Sequence, residues 1–124
     1  MPSSDPGPAL DRVRAICLAL PGSIEKLSHG IPAFAAAGRM FAYFRHNHHG
    51  AQHTDVCVRT GSRDEQAMLI EQAPALYSWP AYIGPAGWVA IDVTPSTTDW
   101  DHVADRIAES WRLATSRTSR RTRA

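Results

Sequence analysis

The chain has 124 residues, of which 44% are hydrophobic and 20% charged, and it carries a formal net charge of +1. That length suits a single domain able to bury roughly two thirds of its unfolded surface, and the balance is that of a globular protein. A mean hydropathy of -0.28 excludes a membrane-spanning chain, because the longest mostly apolar stretch, Ala15 to Leu20, falls far short of the ~20 residues a bilayer requires.

Residues 1–7 are expected to be a flexible N-terminus, followed by a single domain over 8–115 and a disordered basic tail over 116–124. The spacing predicts a first helix from Pro8 to Leu20. Pro8 suits a first-turn position, Leu10, Val13, Cys17 and Leu20 recur at helical intervals, and Pro21-Gly22 stops the run. Ile24 to Ser28 reads as a strand, Gly30-Ile31-Pro32 as a turn, and Ala33 to Ala37 as an extended segment leading to a hairpin turn at Gly38. Arg39 to Arg45 is the clearest strand, aromatic-rich and apolar on both faces through its middle. A polar loop, His46 to His53, leads to Thr54–Arg59, where Val56 and Val58 face one way and Asp55, Cys57 and Arg59 the other.

The next helix opens on Ser62-x-x-Glu65, a capping-box pattern that satisfies orphan backbone N–H groups, and ends before Pro74. Leu76 to Trp79 reads as a short strand and Pro80 with Gly84-Pro85 as a turn region. Trp88 to Val93 is a strand whose Val89, Ile91 and Val93 face the core. The last helix begins near Thr98, with Asp99 and Asp101 at its positive end. Trp100, Val103, Ala104, Ile107, Trp111 and Ala114 form its apolar stripe. Short connections between strands imply a mostly antiparallel sheet, so the expected fold class is α+β, with three helices packed mainly on one face.

Charge is unevenly distributed. Arg117, Arg120, Arg121 and Arg123 lie in the last eight residues, which leaves nine basic against twelve acidic residues, or -3, before them. The body is therefore mildly acidic and the tail basic, unlike a uniformly basic nucleic-acid-binding domain. Cys17 and Cys57 stand 40 residues apart with no CxxC, the pattern of reduced thiols rather than a disulfide scaffold. With no basic start and no apolar leader segment, a cytoplasmic protein is expected.

No phosphate-binding glycine pattern and no GxSxG elbow is present. His46, His48, His49 and His53 crowd one hairpin loop, beside Asp55. Their spacing matches no zinc pattern, so solvated histidines are expected and no metal or cofactor is assigned; a metal-dependent enzyme using this loop is the remote alternative. Glu25 and His29 lie on one face of an extended segment about 13 Å apart, too far to act as an acid/base pair without a bend. Cys57 is the one nucleophile beside the histidine loop, and needs exposure and a base to serve as one. Between Trp79 and Trp88, three large aromatics among prolines and glycines either cover a sheet edge beneath the helices or line a groove that stacks a planar ligand.

The blocks Leu20-Pro21-Gly22, Glu25-Lys26, Ser28-His29-Gly30-x-Pro32-Ala33-Phe34, Gly38 to Ala42 and Tyr82-Ile83-Gly84-Pro85-x-Gly87-Trp88-Val89 occur in order over about residues 10 to 114. In this the chain resembles the MmcQ/YjbR family. The resemblance implies an α+β domain with a small antiparallel sheet and flanking helices, described as a double-wing DNA-binding fold. It implies DNA as a partner by structural analogy, and it supplies no catalytic residues.

Two functions stay open on the residues. One is a non-enzymatic DNA-binding domain, with Arg39, Arg45 and Arg59 on the sheet joined by Arg117, Arg120 and Arg121 of the tail. On alternate positions of one strand, Arg39 and Arg45 are expected to share a face, and four tail arginines imply weak binding with a salt slope of about -3 to -4. The alternative is a small-molecule binding or sequestering protein, with Phe34, Tyr82, Trp88 and His29 lining a pocket for a planar ligand.

Overall fold

The computed structural model describes residues 7–46 and 54–116. In chain order these form α1 (Gly7–Leu18), β1 (Ile24–Ser28), β2 (Ile31–Ala36), β3 (Arg39–His46), β4 (Thr54–Arg59), α2 (Arg63–Gln72), β5 (Tyr77–Ser78), a 3-10 turn (Gly84–Ala86), β6 (Trp88–Asp92) and α3 (Trp100–Thr115). The six strands make one sheet in the order β1-β2-β3-β4-β6-β5, every neighbouring pair antiparallel.

Two tight hairpins start the sheet. Ser28 pairs with Ile31, and Ala36 with Arg39, leaving two residues for each turn. Both central residues have positive φ in each: His29 at 52° and Gly30 at 82°, Ala37 at 55° and Gly38 at 79°. This is what a two-residue turn of the hairpin-favouring type I′ requires. Gly30 thus belongs to the His29-Gly30 turn, and Ile31 and Pro32, expected in a turn, are the first residues of β2.

The helices all lie against one face. Phe34 and Ala36 of β2, Ala42 and Phe44 of β3, Val56 and Val58 of β4 and Val89 and Ile91 of β6 pack there with Val13 and Cys17 of α1 and Val103, Ile107 and Ala114 of α3. Leu69 and Ile70 of α2 close the same layer. Each large side chain buried in it contributes about 1.5–3 kcal/mol. Two further contacts reach α3: the Arg12 guanidinium of α1 lies 5.5 Å from the Trp100 ring, and Trp111 Nε1 donates at 3.0 Å to the carbonyl of Pro21 in the loop after α1. The expected Ser62 cap is present, its Oγ accepting from Glu65 N, and α3 starts at Trp100 rather than near Thr98, with Asp99 as its cap accepting through Oδ1 from the N–H groups of Asp101 and His102. Glu65 accepts from Gly61 N rather than from the cap residue's own N–H.

A single irregularity in β3 determines which way its arginines face. The β2–β3 register shifts between Phe34, opposite Ala42, and Ala35, opposite Met40, so Phe41 is an extra residue in β3. Across the other edge of β3 the ladder to β4 begins only at Ala42–Val58. The next groups, the Phe41 carbonyl and the Arg59 N–H, are bridged instead by the buried hydroxyl of Ser110 on α3, which donates to Phe41 O at 2.6 Å and accepts from Arg59 N at 2.9 Å. A β-bulge of this kind leaves backbone groups unpaired and bends the strand; here a serine in the middle of an apolar helix face pairs both.

Candidate functional site

The sheet face away from the helices carries a second, smaller apolar layer. Cys57, Trp88 and Ala90 are buried in it, with Met40, Tyr43 and Ile83 packed around them. Tyr43 stands against Trp88, ring centroids 5.2 Å apart, and the Arg59 guanidinium covers the same indole at 4.9 Å while its Nε donates to the Met40 carbonyl at 2.7 Å. Burial, and secondarily the charge of Arg39, pulls the Arg59 pKa below the ordinary arginine value.

Beside this layer opens a cleft of about 510 Å³, lined by Ser28, His29 and Ile31 from the first hairpin, Tyr43 and Arg45 from β3, and Tyr82 and Ile83 from the segment before β6. That segment arches over the sheet and is held from below. Gln66 of α2, buried, donates through Nε2 to the carbonyls of Gly84 at 2.7 Å and Trp88 at 2.8 Å. Gly84 lies against the Trp79 ring, where a Cβ would come within 2.3 Å of Cε2, so any larger residue displaces that ring. Arg45 Nη2 donates to the Ala81 carbonyl at 3.0 Å and ties the arch to β3. The chain crosses the cleft rim at Tyr82 with φ 69°, and that ring is 80% exposed. A bulky L-residue in the left-handed region costs about 1–2 kcal/mol, and such strain concentrates at ligand-contacting positions.

The expected site residues divide accordingly. His29 and Tyr82 line the cleft. Phe34 does not: it is fully buried on the helix-covered face. Trp88 lies under Tyr43 and Arg59 on the open face, neither beneath the helices nor among the cleft's lining residues. Arg39 and Arg45 do not share a face. Arg45 pairs with Asp55 on the open side, whereas the extra residue at Phe41 puts Arg39 opposite the core residue Ala36. Arg117, Arg120 and Arg121 lie outside the described residues.

Glu25 and His29 diverge as well. Glu25 takes Arg14 of α1 in a two-pronged ion pair, Nε–Oε1 and Nη2–Oε2 both at 3.0 Å, on the helix side. Burial raises the Cys57 thiol pKa, with the Asp55 carboxylate adding to it, which favours the protonated thiol. His48, His49 and His53 lie outside the described residues, and His46 Nδ1 contacts Thr54 Oγ1 at 2.7 Å; among the described residues no group of three or more His, Cys, Asp or Glu is placed to hold a metal. Sequence reasoning misses Ser28, Ile31, Tyr43 and Ile83, which complete the lining, and Gln66, which supports it. Gln66 carries one signal, a polar residue on the inward side of α2.

A family model described as YjbR matches residues 18–113. Among solved structures, the crystal structure of Deinococcus radiodurans protein DR2400, with family-model domain DUF419, has a TM-score of 0.71 at 17% identity, covering 86% of this chain and 78% of that one. At that identity the likeness is one of fold. Comparison with curated proteins gives no match. No helix among the described residues is long and apolar enough to cross a membrane. With more than half its length matched by the family model, the chain belongs to the YjbR family.

Proposed function

We propose that this domain is a binding module that holds a planar small molecule in the cleft between the first hairpin and the Tyr82 arch. The observation that carries the reading is a convergence. The turn of the first hairpin brings His29 to one wall, β3 brings the Tyr43 ring, and Tyr82, held at a φ of 69°, closes the rim, so residues far apart in the chain line this one cleft. A volume near 510 Å³ falls in the range of small-molecule sites, which pair apolar and aromatic walls with a few polar groups. A flat ring lying on Tyr43, or gripped by Tyr82, gains offset-stacking energy of about 0.5–1.5 kcal/mol per aromatic contact beyond its buried area.

Duplex DNA, the partner implied by the family resemblance, draws less support from the same face. Phosphate recognition needs arginines presented together to solvent, whereas Arg45 is only 8% exposed and Arg59 is committed to Met40 and Trp88. Titration of the isotope-labelled chain with a panel of planar aromatic fragments, followed by amide NMR, tests the reading. Shifts are expected to cluster at residues 28–31, 43–45 and 81–83, and Tyr82→Ala is expected to weaken them. No shift there at millimolar fragment, or a duplex oligonucleotide displacing the fragments from Tyr43, would remove the small molecule from consideration.

A further inference from the structure

The cleft contains one group that ring stacking leaves unused. Arg45 is more than nine-tenths buried, and its Nη2 donates to the Ala81 carbonyl. Its Nε is shielded from solvent and meets no hydrogen-bond partner among the described residues. A guanidinium offers five donors in a planar fork suited to two oxygens of one anion. A buried donor without an acceptor is costly, and such orphans in folded proteins call for an explanation. Asp55 stands directly across the ladder from Arg45, so it neighbours this charge; its Oδ1 accepts from Cys57 Sγ at 3.7 Å.

Taken with the binding reading above, on which this rests, we propose that the ligand is a planar aromatic anion. Its ring lies between Tyr43 and Tyr82, and its carboxylate or phosphate oxygens take the donors of Arg45. The guanidinium reaches the anion by rotation about its terminal torsions, exchanging or keeping the Nη2 bond to the arch. Ser28 and His29, on the cleft's other wall, supply a hydroxyl and an imidazole on the approach. The two aromatic walls select the flat ring and Arg45 selects the charge. Asp55 sets a threshold: an incoming anion must accept its repulsion, so a strong bidentate acceptor is favoured over a weak one.

The test uses the full chain and a matched pair of probes, naphthalene-2-carboxylate and the neutral naphthalene-2-carboxamide, with 2-naphthyl phosphate as a third arm. Affinities come from calorimetry and the site from amide shifts. The carboxylate is expected to bind roughly tenfold more tightly than the carboxamide, the scale of one charge-assisted hydrogen bond. Arg45→Met is expected to bring the two within about twofold. Asp55→Asn, which retains Arg45, is expected to widen the carboxylate preference, and it decides the matter if Arg45→Met does not fold. The phosphate arm tells which oxyanion the fork prefers; either preference over the carboxamide supports the proposal. Equal binding of acid and amide, or a preference that survives Arg45→Met, overturns the anion assignment while leaving the binding module intact. Absence of binding by all three probes overturns both.

Discussion

The two faces of this sheet are built from the same six strands but differ in what covers them. On one side, three helices press aliphatic and phenyl side chains into a continuous layer in which Phe34, Phe41, Ile91 and Ile107 are fully buried. On the other, Cys57, Trp88 and Ala90 form a small buried group beside Met40, Tyr43 and Ile83, and the arch before β6 is held by hydrogen bonds from Gln66 and Arg45. The first face derives its strength from buried area. The second holds its shape through a small number of polar ties, which leaves room for a cleft. The large apolar core and the proposed binding cleft thus lie on opposite sides of one sheet.

The sharpest way to break that comparison is to truncate one residue on each side. Ile107→Ala is expected to cost about 2–5 kcal/mol, as for large aliphatic residues removed from a packed interior. Tyr82→Ala should stay within about 0.5 kcal/mol of the parent, as exposed positions do. Urea denaturation of the two variants measures both, and comparable losses would mean that the open face carries a share of the core.

Next in size is the serine that bridges the two sides of the bulge. Ser110→Ala leaves the Phe41 carbonyl and the Arg59 N–H unpaired and buried, for an expected loss of about 2–3 kcal/mol. Hydrogen exchange at the Arg59 amide should rise in step. Unchanged protection there would show that the two backbone groups pair directly once the hydroxyl is gone.

The smallest effect concerns the second hairpin. Ala37, exposed and at φ 55°, sits in a left-handed conformation that glycine adopts without a steric penalty. Ala37→Gly is expected to stabilise the fold by up to about 1 kcal/mol, the steric relief exceeding the added freedom of the unfolded chain. A lower thermal midpoint for this variant would mean that the turn is less strained than its φ indicates.

How much of the fold and cleft is legible in the sequence depends on the periodicity of each segment. The stripe on α3 and the alternation of β4 both mark their buried sides, and Val103, Ile107, Val56 and Val58 lie where that spacing places them. Strand β3 carries no such mark. Phe41, Ala42 and Phe44 are all apolar, so one inserted residue changes nothing in the pattern, and strict alternation gives the wrong facing for Arg39 relative to Arg45. The cleft is legible only in part, because its lining comes from Ser28, His29 and Ile31, from Tyr43 and Arg45, and from Tyr82 and Ile83, which are far apart until the sheet forms. Glycine positions are visible but not their partners: Gly84 announces a close approach, and nothing local says that the approaching group is the Trp79 ring.

The hydroxyl bridge from Ser110 joins a strand to a helix 69 residues further along the chain. That helix follows both strands in the chain, and until it docks the Phe41 carbonyl and the Arg59 N–H, just beyond the end of the β3–β4 ladder, lack their bridge. Non-local closures of this sort slow folding. They also tie one end of the β3–β4 ladder to a helix that follows every strand of the sheet in the chain.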